Sequence, residues 1–210
     1  MLKHYKTVRK EETEEVIIQK SRFIGHVKRT ETEEEAQAFI EQIKKEHNQA
    51  NHNCSAYLIG EHDSIQKAND DGEPSQTAGA PMLNVLKQQA LKDTCIVITR
   101  YFGGIKLGAG GLIRAYSNTT TETLKKAGLV NRHLVAVYTI TIDYTLLGKV
   151  ENALRQSEYI IDHIDYLDTV KFKVFVKVDD QDAFETWLVD LTSDQANMAV
   201  EETRYIEEGI

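Results

Sequence analysis

Proline is nearly absent from this chain. Pro74 and Pro81 are the only two in 210 residues, which excludes a proline-rich linker. Cysteine is as scarce, with Cys54 and Cys95 alone. Residues 1–10 are polar and basic and contain no apolar h-region, so no secretory signal is expected. Two cysteines in a chain of this length then predict reduced thiols rather than a disulfide, and a cytoplasmic location. No apolar run approaches the roughly 20 residues that span a bilayer, so no membrane association is expected. No internal repeat is visible beyond one in the last third, described below.

What is present is globular in composition: 41% hydrophobic and 28% charged, outside the range of disordered chains. The net charge of −8 is unevenly spread. Residues 1–132 hold 19 Lys+Arg against 17 Asp+Glu, whereas residues 133–210 hold 6 against 16. That asymmetry predicts two domains, 1–132 and 133–210. The acidic second domain would repel nucleic acid, and the first could attract it where its cations cluster.

The first domain reads as mixed α and β. Short strands are predicted at 5–8, 16–19 and 21–28. Thr32 with Glu35 forms a capping box that opens a helix with Ala36, Phe39, Ile40 and Ile43 on one face. Residues 51–60 read as a strand buried on both faces, and 94–99 as a β-branched central strand. Between them lie a short partner strand at 65–68, an acidic turn, and a helix near Pro81 that carries apolar residues to Ala90. Five glycines occupy residues 103–111, and a helix is predicted over 112–127 with Gly128 as its stop. The second domain alternates cleanly. Leu134, Ala136, Tyr138, Ile140, Ile142 and Tyr144 share one strand face, and Val170, Phe172, Val174, Val176 and Val178 share another. With a helix after the first strand, one after the third and a closing strand at 198–206, the order is β-α-β-β-α-β. This is a ferredoxin-like split βαβ. The fold class is therefore α+β with two domains.

Three groups in residues 51–117 carry candidate chemistry. The first is the glycine-rich stretch between a strand and a helix, where free backbone N–H groups and the helix dipole favour an anion. Gly108, Gly110 and Gly111 would admit a phosphate close to the backbone, with Arg100, Lys106 and Arg114 around the same turn. It is neither a P-loop, lacking Gly-Lys-Ser/Thr, nor a dinucleotide fingerprint, because Ile113 stands at the third glycine position. The alternative is a tight loop whose glycines serve only packing. The second group is Asp70, Asp71 and Glu73, three carboxylates within four residues. They could hold a hard cation such as Mg²⁺, or form a solvated Asp-Gly turn; no metal site is assigned. The third is His52 and Cys54, which share a strand face; a buried small Cys is favoured over a nucleophile there. His52, Asp70, Asp71, Glu73, Thr77 and Tyr101 are candidate ligand contacts. No nucleophile–base pair is recognisable, so no catalytic residue and no cofactor is expected. Oligomeric state has no signal in the sequence.

These groups together carry a resemblance. His52-x-Cys54-x-Ala56-Tyr57 is followed by Asp70-Asp71-Gly72-Glu73-Pro74-Ser75 and Thr77-Ala78-Gly79-x-Pro81. The run from Arg100 through Gly103-Gly104-Ile105-x-Leu107-Gly108-x-Gly110-Gly111 to Arg114-Ala115-Tyr116 completes it. The combined motif resembles the IMPACT family, its bacterial branch most of all, across essentially the whole chain. The resemblance implies an N-terminal domain with the fold shared by a ribosomal-protein domain, the GHMP kinases and domain four of translocation factor G. It implies a C-terminal ferredoxin-like domain similar to domain five of that factor. Eukaryotic members of the family act in translational control, restraining activation of a starvation-responsive kinase through a shared scaffold partner. The chain departs from the family at Gln76, where Gly is usual, and at Ala80, where a basic residue is common.

The expected function is a non-enzymatic regulatory protein that binds RNA, the ribosome or a translation-associated protein. The alternatives are a metal-assisted phosphoryl-transfer or hydrolase enzyme built on the acidic turn and the glycine-rich stretch, and a protein-interaction module whose acidic second domain docks a basic partner.

Overall fold

The computed structural model describes residues 2–60 and 62–210. The chain runs through β1 (His4–Val8), β2 (Glu12–Ile18), β3 (Ser21–Arg29), α1 (Glu33–Glu46), β4 (His52–Ile59), β5 (Ile65–Asn69), α2 (Gly79–Gln88), β6 (Thr94–Tyr101) and α3 (Gly108–Ala127). It continues through β7 (Leu129–Ile142), a 3-10 turn (Tyr144–Leu146), α4 (Leu147–Arg155), β8 (Ile160–Tyr166), β9 (Val170–Lys177), α5 (Gln181–Thr192) and β10 (Asn197–Gly209). Two units result. One comprises Tyr5–Asn131 with Glu208–Ile210, the other Leu2–His4 with Arg132–Glu207. No helix among the described residues is long and apolar enough to cross a membrane.

The first unit is built on an antiparallel sheet in the order β2-β3-β6-β4-β5. Its central strands are apolar on both faces because both faces are covered. Cys54, Ala56, Leu58, Ile96 and Ile98 pack with Met82 and Leu86 of α2 and Leu112 and Tyr116 of α3. Tyr57, Ile59, Cys95 and Val97 meet Ala36, Phe39, Ile40 and Ile43 of α1 on the other side. Helix α1 begins as its sequence predicts: the Thr32 hydroxyl accepts from the Glu35 N–H at 3.2 Å. The Glu35 carboxylate returns to the Glu31 N–H at 2.8 Å, one residue before the cap. Glu33, Glu34 and Glu35 at its start and Lys44 and Lys45 at its end complement the helix dipole.

Two helix boundaries in this unit differ from the sequence reading, and β2 begins at Glu12 rather than Val16. Helix α2 stops at Gln88, and Ala90 turns away with φ of +54°. Helix α3 starts at Gly108 rather than Leu112, so residues 108–111 form its first turn. Each glycine costs a helix about 1 kcal/mol relative to alanine. Burial of Leu112, Ala115, Tyr116, Thr119, Thr120, Thr123 and Leu124 along this 20-residue helix overrides that local preference.

The second unit is ferredoxin-like, with strands in the order β10-β7-β9-β8. Ala136, Tyr138, Ile140 and Ile142 of β7 and Val170, Phe172, Val174 and Val176 of β9 form its core with Val150, Leu154, Phe184 and Leu188 of the helices. Tyr144, expected on the inner face of β7, instead lies 47% exposed in the 3-10 turn. The Asp143 carboxylate accepts from the Thr145 N–H and ends the strand before Tyr144 can join it. On the other sheet face Phe175 is also buried, beneath the Arg204 guanidinium 4.4 Å from its ring centroid.

Candidate functional site

Strand alternation on β6 decides which candidate groups can meet. Arg100 points into the α2–α3 side of the sheet and is buried, its Nη1 donating to Glu73 Oε1 at 2.6 Å. Tyr101 points the other way, its hydroxyl 2.9 Å from His47 Nδ1 and its ring 5.3 Å from the Arg22 guanidinium. The acidic turn and the glycine-rich stretch therefore meet through Glu73 and Arg100, while Tyr101 belongs to a different surface.

Glu73 is the hub of a buried polar chain. Its Oε1 also accepts from the Tyr116 hydroxyl at 2.8 Å, and the single proton of the Cys54 thiol is shared between that hydroxyl at 3.3 Å and the Asp70 carbonyl at 3.1 Å. His52 Nδ1 must carry a proton, because it donates to the Asp71 carbonyl at 2.9 Å. Its Nε2 then faces Glu73 Oε2 at 3.7 Å. Burial pushes the Cys54 thiol far up, away from thiolate, and burial followed by the neighbouring Cys54 and Glu73 does the same for the Tyr116 phenol. Both remain donors. His52 and Cys54 share a face, but each is spent on a backbone carbonyl rather than on the other.

The remaining carboxylates hold the turn itself. Asp70 accepts from the N–H groups of Gln76, Ala78 and Gly79 at 2.7, 3.1 and 2.8 Å, which caps the start of α2. Asp71 accepts from the Asn53 N–H at 2.7 Å and pairs with Lys44 at 3.1 Å. The Thr77 hydroxyl donates to the Pro74 carbonyl at 2.6 Å. Asp70 thus faces a helix end, Asp71 a strand and Glu73 the interior. Among the described residues no group of three or more His, Cys, Asp or Glu side chains is placed to hold a metal ion.

The start of α3 has no such carboxylate. Its cap position, Leu107, has no side-chain acceptor, and its first turn contains no acidic residue. The four N–H groups that every helix start leaves without an internal partner thus have no capping side chain and no acidic residue in their own turn. Gly108 adopts φ of +69°, and a Cβ there would meet nothing within 4 Å. Gly110 is open too, with only the Arg114 guanidinium nearby, whereas Gly111 packs on Leu107. Gly103 is a packing glycine: a Cβ there would fall 2.0 Å from the carbonyl carbon of Lys20.

These parts enclose a recess of about 380 Å³ lined by Glu73, Arg100, Phe102, Lys106, Gly108 and Leu112 among others. Lys106 and Arg114 are exposed, and Arg100 has one side on Glu73 while its buried Nε has no hydrogen-bond partner. Of the predicted contacts, Arg100, Lys106, Gly108 and Glu73 line this recess. Arg114 lies over Gly110 beside it, and His52 stands behind Glu73. Phe102, 46% exposed at the rim, was not singled out from the sequence. Its position directly before the paired glycines was the available signal.

The chain thus joins an α+β unit that carries this recess to a ferredoxin-like unit. The Impact N-terminal domain matches residues 19–124, and a domain of unknown function (DUF1949) matches residues 140–195. The chain belongs to the IMPACT family. It is 52% identical over its full length to the IMPACT family member YvyE of Bacillus subtilis, covering 97% of that protein. It is 35% identical to YigZ of Escherichia coli over 88% of this chain and 92% of the other. A crystal structure described as that of a hypothetical protein aligns with a TM-score of 0.61 at 31% identity, covering 96% of this chain and 99% of that one. The IMPACT homologue of Schizosaccharomyces pombe is 33% identical over 46% of this chain.

Proposed function

We propose that this chain is a cytoplasmic binding protein that contacts RNA, alone or within a translation complex, through the recess at the start of α3. The observation that carries the reading is the first turn of α3, without a capping side chain or an acidic residue of its own, beside two exposed cations, Lys106 and Arg114. Backbone N–H groups and cations at one spot suit a phosphate. Family membership adds that eukaryotic relatives act in translational control, as the resemblance above implies.

A binding role is favoured over catalysis by how the polar groups are spent. Glu73 accepts from both Arg100 and Tyr116, and Asp70 and Asp71 hold backbone N–H groups. The Cys54 thiol is held protonated by burial.

The test is RNA affinity and ribosome co-sedimentation measured across a salt series with the full chain. Lys106→Ala and Arg114→Ala should each weaken binding and reduce the slope of log K against log salt by about 0.7. Absence of both RNA binding and co-sedimentation at low salt would defeat the proposal.

A further inference from the structure

We propose that the pocket between α1 and β5, on the opposite face of the sheet from the α3 recess, binds a small neutral polyhydroxy molecule about the size of one sugar ring. The pocket and the recess share no lining residue, so the two sites stand or fall separately.

Strand pairing builds the pocket. Ser55 stands opposite Asn69, and Tyr57 opposite Lys67, across the antiparallel β4–β5 pair. Directly opposed residues point to one face of a sheet. Here it is the face on which Tyr57 meets Ile40 and Ile43 of α1. Gln37, Glu41 and Lys44 fall on one stripe of α1 and form the facing wall. Helix α1 packs on β4 and β6 and leaves the edge strand β5 exposed along its length. The gap holds about 220 Å³. That is less than the roughly 300–1,000 Å³ of drug-sized pockets and suits a small metabolite.

Ser55 supplies the sign of a ligand. It is 5% exposed, and its hydroxyl makes no hydrogen bond with any described residue. The unpartnered hydroxyls of Thr30 and Thr119 are sealed from the surface, but that of Ser55 is not, and its residue lines the pocket. Polar groups this deeply buried are normally paired. An oxygen of a molecule seated in the pocket provides the pairing.

The surrounding charges select a neutral molecule. Lys44 pairs with Asp71 at 3.1 Å and Lys67 with Glu33 at 3.7 Å, so both cations that line the pocket already face a carboxylate. Glu41 lines it too and has no ion-pair partner among the described residues. An anion would meet that unpaired carboxylate, and a cation would meet two ammonium groups. Hydroxyl groups, which both donate and accept, suit the remaining atoms. The Tyr57 hydroxyl is already spent, donating to Glu33 at 2.6 Å and accepting from the Gln37 amide at 2.9 Å. The Gln37 amide oxygen stays open as an acceptor. Asn69 gives its oxygen to the Asp71 N–H at 2.8 Å and keeps its amide N–H groups as donors. A polyol therefore donates to Glu41 and Gln37 and accepts from Ser55 and Asn69. Ile40 offers an apolar wall to the C–H side of its ring.

The experiment records amide NMR spectra of the isotope-labelled full chain during titration with glucose, ribose and myo-inositol. Inorganic phosphate, putrescine and glycine serve as charged counterparts. At least one of the neutral polyols should shift the amides of residues 55–57 and 67–69, and the charged probes should not. Ser55→Ala and Glu41→Gln should each weaken that binding by about 2- to 10-fold, the worth of one hydrogen bond. Glu34→Gln, exposed on α1 outside the pocket, should bind as the wild type does. Ser55→Ala removes no hydrogen bond from the fold, so its Tm should match that of the wild type and separate lost binding from lost structure. No shift with any of the neutral polyols would overturn the proposal, as would a larger shift of the same amides with phosphate, putrescine or glycine. Ser55→Ala binding as tightly as the wild type would overturn it as well. None of these results touches the RNA reading, which is tested by salt-dependent binding at α3.

Discussion

Arg100 Nη1 and Glu73 Oε1 lie 2.6 Å apart, on side chains 27 residues apart in sequence that are 7% and 3% exposed. Removing one partner of such a buried pair leaves an uncompensated charge and costs about 3–5 kcal/mol. Glu73→Ala and Arg100→Met are each expected to destabilise the first unit by that order in urea denaturation. The double variant should cost less than the two singles combined, by about 0.5–3 kcal/mol, because neither charge is then left behind. Strict additivity would show that the two groups do not stabilise one another.

Gln76 stands in the left-handed region, with φ of +63°. Its N–H donates to Asp70 Oδ2 at 2.7 Å, so the conformation is imposed by the turn that caps α2. A side chain resists this geometry and glycine does not. Gln76→Gly should therefore stabilise the chain by about 0.5–1 kcal/mol after allowing for the greater freedom of an unfolded glycine. In a chain of this size that raises Tm by about 1–4 °C in a thermal melt. A fall in Tm would mean that the Gln76 side chain contributes more than its backbone strain removes.

How much was legible before the structure follows the range of each signal. The capping box of α1, the doubly apolar runs of β4 and β6 and the alternation of β7 and β9 are local patterns, and each element is found, although β7 ends at Ile142 before the predicted Tyr144 and β9 at Lys177 before Val178. The first turn of α3 was misread because its glycines oppose a helix locally, and only distant packing of Leu112 and Tyr116 holds it. The Glu73–Arg100 pair had no local signal at all. It arises when β6 sits beside β4 in the sheet and the turn after β5 folds back over them. The acidic turn was read as a possible ion site because composition shows which charges are near in sequence. It does not show that Asp70, Asp71 and Glu73 face a helix end, a strand and the interior.

Cys54 and Cys95 are both buried, and burial pushes both thiols well above their ordinary range. A thiolate is the reactive form, so both should be inert in the native protein. Under native conditions at neutral pH, a colorimetric thiol reagent should report no rapidly reacting group, and two after denaturation. Rapid native labelling of Cys54 would contradict the closed chain of contacts through Tyr116 and the Asp70 carbonyl.

His26 gives the chain a pH dependence with a definite sign. Burial lowers its imidazole from 6.5 to about 4, His47 adds to the shift, and Glu46 opposes it. Its ring lies between the hydroxyls of Thr13, 3.2 Å from Nδ1, and Thr99, 3.4 Å from Nε2, with the tilted His47 ring 5.1 Å away between centroids. Between pH 6.5 and about 4 the unfolded chain takes up a proton that the folded chain refuses. The stabilisation is therefore complete above the upper value, declines as pH falls through the window and levels off below the lower one. Its full size is on the order of 3 kcal/mol for a shift of this extent. Urea denaturation of the wild type and of His26→Gln should diverge in this window, with the variant losing less stability per pH unit. Carboxylates such as Glu12 and Glu15, whose partners Lys10 and Arg22 hold them low, act at more acid pH and are common to both proteins. Parallel pH profiles for the two would show that His26 is not the group that titrates.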